Sequence, residues 1–313
     1  MAGRALLSAL GDVDIRLLRV FVTVCECNGI AASELELNIG KSTISKHISD
    51  LEQRLGLKLC NRGPAGFSVT GEGARVLELT NNLLARIDEF QSRVDDIHKN
   101  LTGTLRIGIF DQSSTNRNAR VHAAIRQYDG VAPEVALNIS LDTPSALEAG
   151  VSDGTLDIAM VPIYKQSSGL TYAVLYDENM SLYCGQSHPL FGIDTSIMET
   201  KPDLSAYKYA GYSFNSPNMR AGGNLGLNRA AQVKEEEALA LLIQSGRYIG
   251  YLADHVARSF DDQDRVWPIM TAETGYTVKF AAITRKRPEP DRKTATFLKC
   301  LKDAHPAVLE EEI

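Results

Sequence analysis

The 313-residue chain reads as an α/β protein built in three successive parts. Three observations carry that reading. Residues 38–69 combine a short turn, an amphipathic helix and a Gly-rich hairpin; the stretch after 70 holds a sustained heptad seam; and beyond residue 103 strand and helix alternate. The expected organisation is a winged helix-turn-helix over 1–70, a long linker helix over 71–102 and an α/β domain over 103–313.

The first part begins with Ile15, Leu18, Phe21, Val22 and Cys25, an apolar stripe on a helix that Asn28-Gly29 ends. IAASELEL (30–37) gives a second short helix, and Asn38-Ile39-Gly40 turns into a third. There Ile44, Ile48, Leu51 and Leu55 recur at spacings of four, three and four, so they form one buried stripe. At 100° per residue Ser42, Ser45, Lys46 and Ser49 fall on the opposite face. Short side chains allow close approach to a major groove, hydroxyls donate to phosphates and base edges, and a cation neutralises phosphate. After Gly56, Leu57 and Leu59 alternate with Lys58 as in a strand; Arg62-Gly63-Pro64-Ala65-Gly66 is a turn, and Phe67 and Val69 mark a return strand. That hairpin is a wing, with Arg62 placed to reach phosphate or the minor groove. The competing reading is a plain solvated face, in which the module binds protein and the chain is a soluble small-molecule sensor.

From LLRVFVTVCECNG through TISKHISDLEQRLGLKL to NR and GFSVTGEG, the order and spacing resemble those of the LysR-type transcriptional regulators, over essentially the whole chain. The resemblance implies a DNA-binding transcriptional regulator answering to a small-molecule effector. It puts Lys41, Ser42, Ser45 and Lys46 at base- and phosphate-reading positions and makes Arg62 the wing arginine; Thr43 and Ser49 join them as candidate DNA contacts. The chain departs from the family pattern at Lys41-Ser42, where Gln-Pro is frequent, at Gly40 in place of a hydroxyl N-cap, at Ser33-Glu34 for paired Ala, and at Cys60 for Phe. Gly is a tolerable N-cap, so the helix start survives.

Thr70 is a suitable N-cap for the linker. Val76, Leu83, Phe90 and Ile97 then recur every seven residues, interleaved with Thr80, Ile87, Val94 and Leu101, while Asp88, Glu89, Arg93, Asp95 and Asp96 fill outer positions. A 3.5-residue spacing favours self-pairing, and Val76, Leu83, Ile87, Phe90, Val94 and Ile97 are the expected dimer seam. The resemblance implies the same homodimer, assembling to a tetramer, with double-stranded promoter DNA as partner and RNA polymerase as a further one. A symmetric dimer offers two half-sites about one DNA turn apart.

Strands are expected at 104–110, 134–141, 156–162, 207–214, 229–233, 248–253 and 277–285, with helices at 116–129, 145–154, 235–245, 253–260 and 291–305. This resembles the periplasmic-binding-protein-like effector domain of the same family, with subdomain I about 103–165 and 275–313, subdomain II about 170–270, and crossings near 163–176 and 262–276. Ligands of such sheets sit outside the carboxyl ends of strands. Those ends carry Asp111, Ser113, Ser114 and Thr115; Thr143 and Ser145; Pro162 and Tyr164; and Phe214, Asn215, Ser216 and Asn218. Hydroxyls and free N–H groups at helix starts suit a small organic acid, whereas Asp111 would pair with an amine or hydroxyl.

Composition narrows the remaining classes. Net charge is −6 overall; residues 1–75 carry nine Lys+Arg against eight Asp+Glu, so DNA contact must rest on placed residues and dimer symmetry rather than bulk charge. The five cysteines (25, 27, 60, 184, 300) form no metal pattern and read as reduced and structural, with no nearby pair in the sensing region. The six histidines are scattered, and neither a G-x-S-x-G elbow nor a phosphate loop occurs. No catalytic residue, metal site or cofactor is expected. No stretch approaches the roughly 20 apolar residues of a membrane span, and ALLSAL (5–10) is too short for a signal-peptide core, so the expected location is cytoplasmic, with no membrane partner.

Overall fold

The computed structural model describes residues 9–63, 66–98, 101–110, 113–195, 197–260 and 265–305, which divide into two compact units, Met1–Gln91 and Ser92–Ile313. In the first, α1 (Asp12–Glu26), α2 (Glu34–Leu37) and α3 (Lys41–Leu55) precede the hairpin β1 (Cys60–Gly63) and β2 (Gly66–Val69). Ile44, Ile48 and Leu51 are buried as their spacing requires, against Leu17, Leu18, Phe21 and Val24 of α1. The buried face of α1 is therefore rotated from the expected stripe, because Ile15 and Val22 lie at its margin. The second helix is shorter than expected: residues 31–33 form a turn, and α2 buries nothing. Gly56, at φ 66°, ends α3 in the left-handed region that glycine enters without strain.

A single helix, α4 (Gly71–His98), follows, and Thr70 caps it by accepting from the Gly73 N–H at 2.9 Å. Gly73 is needed for packing: a Cβ there would stand 2.1 Å from the Leu59 carbonyl oxygen. The expected seam divides along its length. Val76 and Leu83 pack against the winged-helix core, whereas Phe90, Val94 and Ile97 are exposed and Ile87 is half-buried.

The second unit is built on β3 (Gly103–Ile109), α5 (Val121–Val131), β4 (Val135–Leu141), α6 (Pro144–Asp153) and β5 (Ile158–Pro162), with β3 parallel to both β4 and β5. Next comes β6 (Leu170–Gly185), sixteen residues long and absent from the expected strands, which pairs with three later strands. Then follow β7 (Lys208–Tyr212), α7 (Pro217–Asn224), β8 (Asn228–Val233), α8 (Glu236–Gln244), β9 (Gly250–Ala253), α9 (Asp254–Arg258), β10 (Val266–Ile269) and α10 (Thr271–Thr274). The chain returns through β11 (Tyr276–Arg285), antiparallel to β6 and β5, and α11 (Arg292–Ala304) follows. The large sheet has the order β10-β6-β11-β5-β3-β4, and β9 also pairs with β6, over Met180–Tyr183. The parallel pair β7-β8 meets β9 through the Tyr209–Ile249 bridge. Leu105, Ile107, Ile158 and Ile283 are fully buried, and Tyr128 meets Phe297 edge-to-face at 5.2 Å, tying α5 to α11. Among the described residues, no helix is long and apolar enough to cross a membrane, and no cluster of His, Cys, Asp and Glu could hold a metal.

Candidate DNA interface and effector crevice

The buried back of α3 orients its front. Lys41, Ser42, Thr43, Lys46 and Ser49 are exposed and Ser45 is half-buried, so the structure brings all six helix candidates onto the surface of one helix. Ser42, Thr43 and Lys46 line a groove of about 830 Å³ with Arg16 of α1 and with Arg54, two cations that the stripe pattern did not single out. Arg54 is held by a fully buried carboxylate: Asp14 accepts from its guanidinium and from the Gly11 N–H, and the Arg54 bond keeps the Asp14 carboxyl below its usual range. Arg62 does not extend freely from the wing. Its Nη1 donates to Ser45 O, Ser45 Oγ and Ser49 Oγ, each at 3.3 Å, and its Nη2 pairs with Glu52. Glu52 Oε1 in turn accepts from the Leu59 and Cys60 N–H groups at 2.9 and 3.1 Å. The hairpin is thus braced on α3 through one Arg and one Glu.

In the second unit the candidate effector residues divide. Asp111 lies outside the described residues. Ser113 donates to the Phe110 carbonyl at 3.0 Å, and Thr143 caps α6 by accepting from the Ala146 N–H, so both serve their own turns. Ser114, Ser145 and Asn215 are exposed, Pro162 is buried at the end of β5, and Tyr164 is half-buried, its phenol pushed far up by burial and by the Glu178 and Glu236 carboxylates. Two candidates do contact residues distant in sequence. Phe214 packs edge-to-face on Phe110 at 6.4 Å, and Thr115 Oγ1 lies 2.8 Å from His255 Nδ1.

Around that second contact is a cavity of about 470 Å³, lined by Thr115, Asn116, Glu178, Asp254, His255 and Arg258 among others. Glu178 Oε2 receives Asn116 Nδ2 at 2.9 Å and lies 2.8 Å from His255 Nε2. The loop after β3, the crossing strand β6 and helix α9 are therefore joined at one carboxylate. At the start of α7, Asn218 Oδ1 accepts from the Tyr276 hydroxyl and the Asn218 carbonyl from Tyr209 at 3.1 Å, while Asn218 Nδ2 and Ser216 Oγ are buried with no partner.

Residues 98–306 match the family model described as LysR substrate binding domain, and residues 15–74 match the one described as bacterial regulatory helix-turn-helix protein, lysR family. The chain belongs to the LysR family. Among known relatives, the HTH-type transcriptional activator BauR of Pseudomonas aeruginosa is 37% identical over 295 residues, spanning 94% of this chain and 96% of that protein. The probable HTH-type transcriptional regulator LrrA of Synechococcus elongatus is 27% identical over 75% of this chain and 79% of its own length. The crystal structure of full-length CbnR complexed with its target DNA shares the fold at a TM-score of 0.63 and 18% identity, covering 93% of this chain and 99% of that one. As a LysR-family member the chain is a DNA-binding transcriptional regulator that responds to a small-molecule effector, and it is not an enzyme. Within this LysR-family fold, Asn116, Glu178 and His255 escaped sequence reasoning. Their positions 116, 178 and 255 share no motif, and only the acidic pair Asp177-Glu178 inside an apolar run hinted at a buried polar site.

Proposed function

We propose that α3 enters the major groove of promoter DNA, with Lys41, Ser42, Thr43, Ser45, Lys46 and Ser49 reading bases and phosphates and with Arg62 holding the wing against them. The observation that carries this reading is the braced polar front of α3, exposed at every candidate but the half-buried Ser45 and flanked by Arg16. Arg16 is added as a phosphate contact. The exposed Phe90, Val94 and Ile97, with Ile87, form a homodimer seam, and dimers pair as tetramers; boundaries at 70/71 and 102/103 separate the three working parts. RNA polymerase is the expected downstream partner, and a promoter-bound regulator works in the cytoplasm.

The effector occupies the crevice between the two halves of the second unit, near Tyr164, Thr115 and Phe214. A small organic acid suits it, because the start of the eight-residue α7 offers Ser216 Oγ and Asn218 Nδ2, buried donors with no protein partner. An unsatisfied buried polar group costs about 1–3 kcal/mol, which a bound carboxylate would recover. Gel shifts on the chain's own upstream region test the DNA reading. Wild type should bind specifically, and Ser45→Ala with Lys46→Ala should bind no better than to unrelated DNA while keeping the fold. Wild-type affinity in that double variant would remove α3 from recognition.

A further inference from the structure

The start of α3 departs from the family pattern at Gly40, α2 departs from it at Glu34, and the two departures meet. Gly40 stands at the N-cap in place of a hydroxyl residue; its backbone is extended, at φ −69° and ψ 151°, and it has no side chain to accept from the first turn. Glu34, where the pattern has Ala, supplies an acceptor from the preceding helix: its Oε1 accepts from the Lys41 N–H at 2.5 Å. The turn over 38–40, with Asn38 in the left-handed region at φ 51°, folds the chain back so that Glu34 reaches the first residue of α3. A carboxylate is stabilised there, because the unpaired N–H groups of a helix start carry partial positive charge.

A carboxylate cap differs from a hydroxyl cap in what it leaves over. Glu34 is half-buried, and its second oxygen, Oε2, has no partner among the described residues. A recognition helix presents its N-terminal residues to base edges in the major groove. An ionised carboxylate only accepts hydrogen bonds, so phosphates, guanine O6 and N7, and thymine O4 all repel it. Adenine offers an amino group but sets its N7 acceptor beside it, whereas cytosine shows the groove its N4 amino group alone. We propose that Glu34 is a base-reading residue of this regulator, anchored on the α3 backbone through Oε1 and selecting cytosine through Oε2. The inference rests on the reading that α3 enters the major groove. Through the Lys41 N–H the cap also fixes where that oxygen stands, so one side chain both starts the helix and reads beside it.

Full-length protein is used to select binding sites from randomised double-stranded DNA, and the enriched sites are compared with unrelated DNA in gel shifts. Wild type should enrich a motif with cytosine fixed at one position. Glu34→Gln keeps an oxygen for the Lys41 N–H and sets an amino group where the free oxygen was, so cytosine should give way at that position alone. Glu34→Ala removes cap and reader together, but Gly40→Ser restores a cap, and a Cβ at Gly40 meets nothing within 4 Å. Glu34→Ala with Gly40→Ser should therefore keep the fold and the rest of the motif. It should lose about fivefold of the preference for cytosine, and bind unrelated DNA more tightly for want of one negative charge. The proposal is overturned if either variant enriches the wild-type motif unchanged, since Glu34 is then a cap only, or if the double variant loses every position of the motif. A wild type that enriches no motif overturns the α3 reading along with it, whereas a motif that survives in Glu34→Gln removes Glu34 alone.

Discussion

Arg62 shows how one side chain can brace a hairpin on a helix in place of extending into solvent. Its guanidinium spans two hydroxyls, a carbonyl and a carboxylate of α3, a fork that an ammonium cannot reproduce. Arg62→Lys keeps the charge and loses the fork. Affinity should fall several-fold while the slope of log affinity against log salt stays the same, because no phosphate contact disappears. Wild-type affinity in that variant would reduce Arg62 to a simple phosphate charge. Asp291 is the corresponding residue of the second unit. Burial would raise its carboxyl, but hydrogen bonds from Lys293, Ser92 and the Thr294 N–H outweigh that and set it at about 2. A folded pKa below the unfolded value near 3.9 stabilises the fold above that value, and the stability is lost as pH falls toward about 2. Asp291→Asn should cost about 2–3 kcal/mol at pH 7 in urea unfolding, with the gap to wild type closing as pH drops below about 4.

At the level of elements, legibility followed how local the cause is. The stripe of α3 and the Thr70 cap are set by residues within a turn or two, and the structure has both. β6 was not legible. LTYAVLYDENMSLYCG carries Asp177 and Glu178 at its centre, which breaks any alternation, and Glu178 is satisfied by Asn116 and His255, 62 and 77 residues away. The heptad seam of α4 was legible as a period but not as a division of labour, since the same repeat serves the winged-helix core at Val76 and Leu83 and leaves Phe90 and Ile97 open at 70% and 77% exposure. The pairing test therefore belongs at the exposed end. Phe90→Glu with Ile97→Glu sets like charges across a symmetric seam and should shift the protein toward monomer in sedimentation with the winged helix intact; an unchanged oligomer would refute the seam. Gly73→Ala tests the other end. Its methyl would collide with the Leu59 carbonyl, and overpacking of this kind should cost about 1–3 kcal/mol of winged-helix stability.

For the whole molecule, the candidate DNA face was largely readable from sequence because a helix front is a local property of one segment. The crevice was not, because Thr115, Glu178 and His255 come from three distant segments and acquire a common role only through the crossing strands. An effector can shift a regulator only by its difference in affinity for two arrangements of these halves, and groups such as Thr115 and Phe214, which touch residues of the opposite half, are where such a difference would arise. On the proposed reading, a symmetric dimer presents two copies of the α3 front to DNA. Hydroxyl-radical footprinting of the full-length protein on its upstream region tests this most directly. Two protected patches on one face of the duplex, about 10 base pairs apart centre to centre and both lost on Lys46→Ala, are the predicted result; a single patch, or protection that survives Lys46→Ala unchanged, would contradict it.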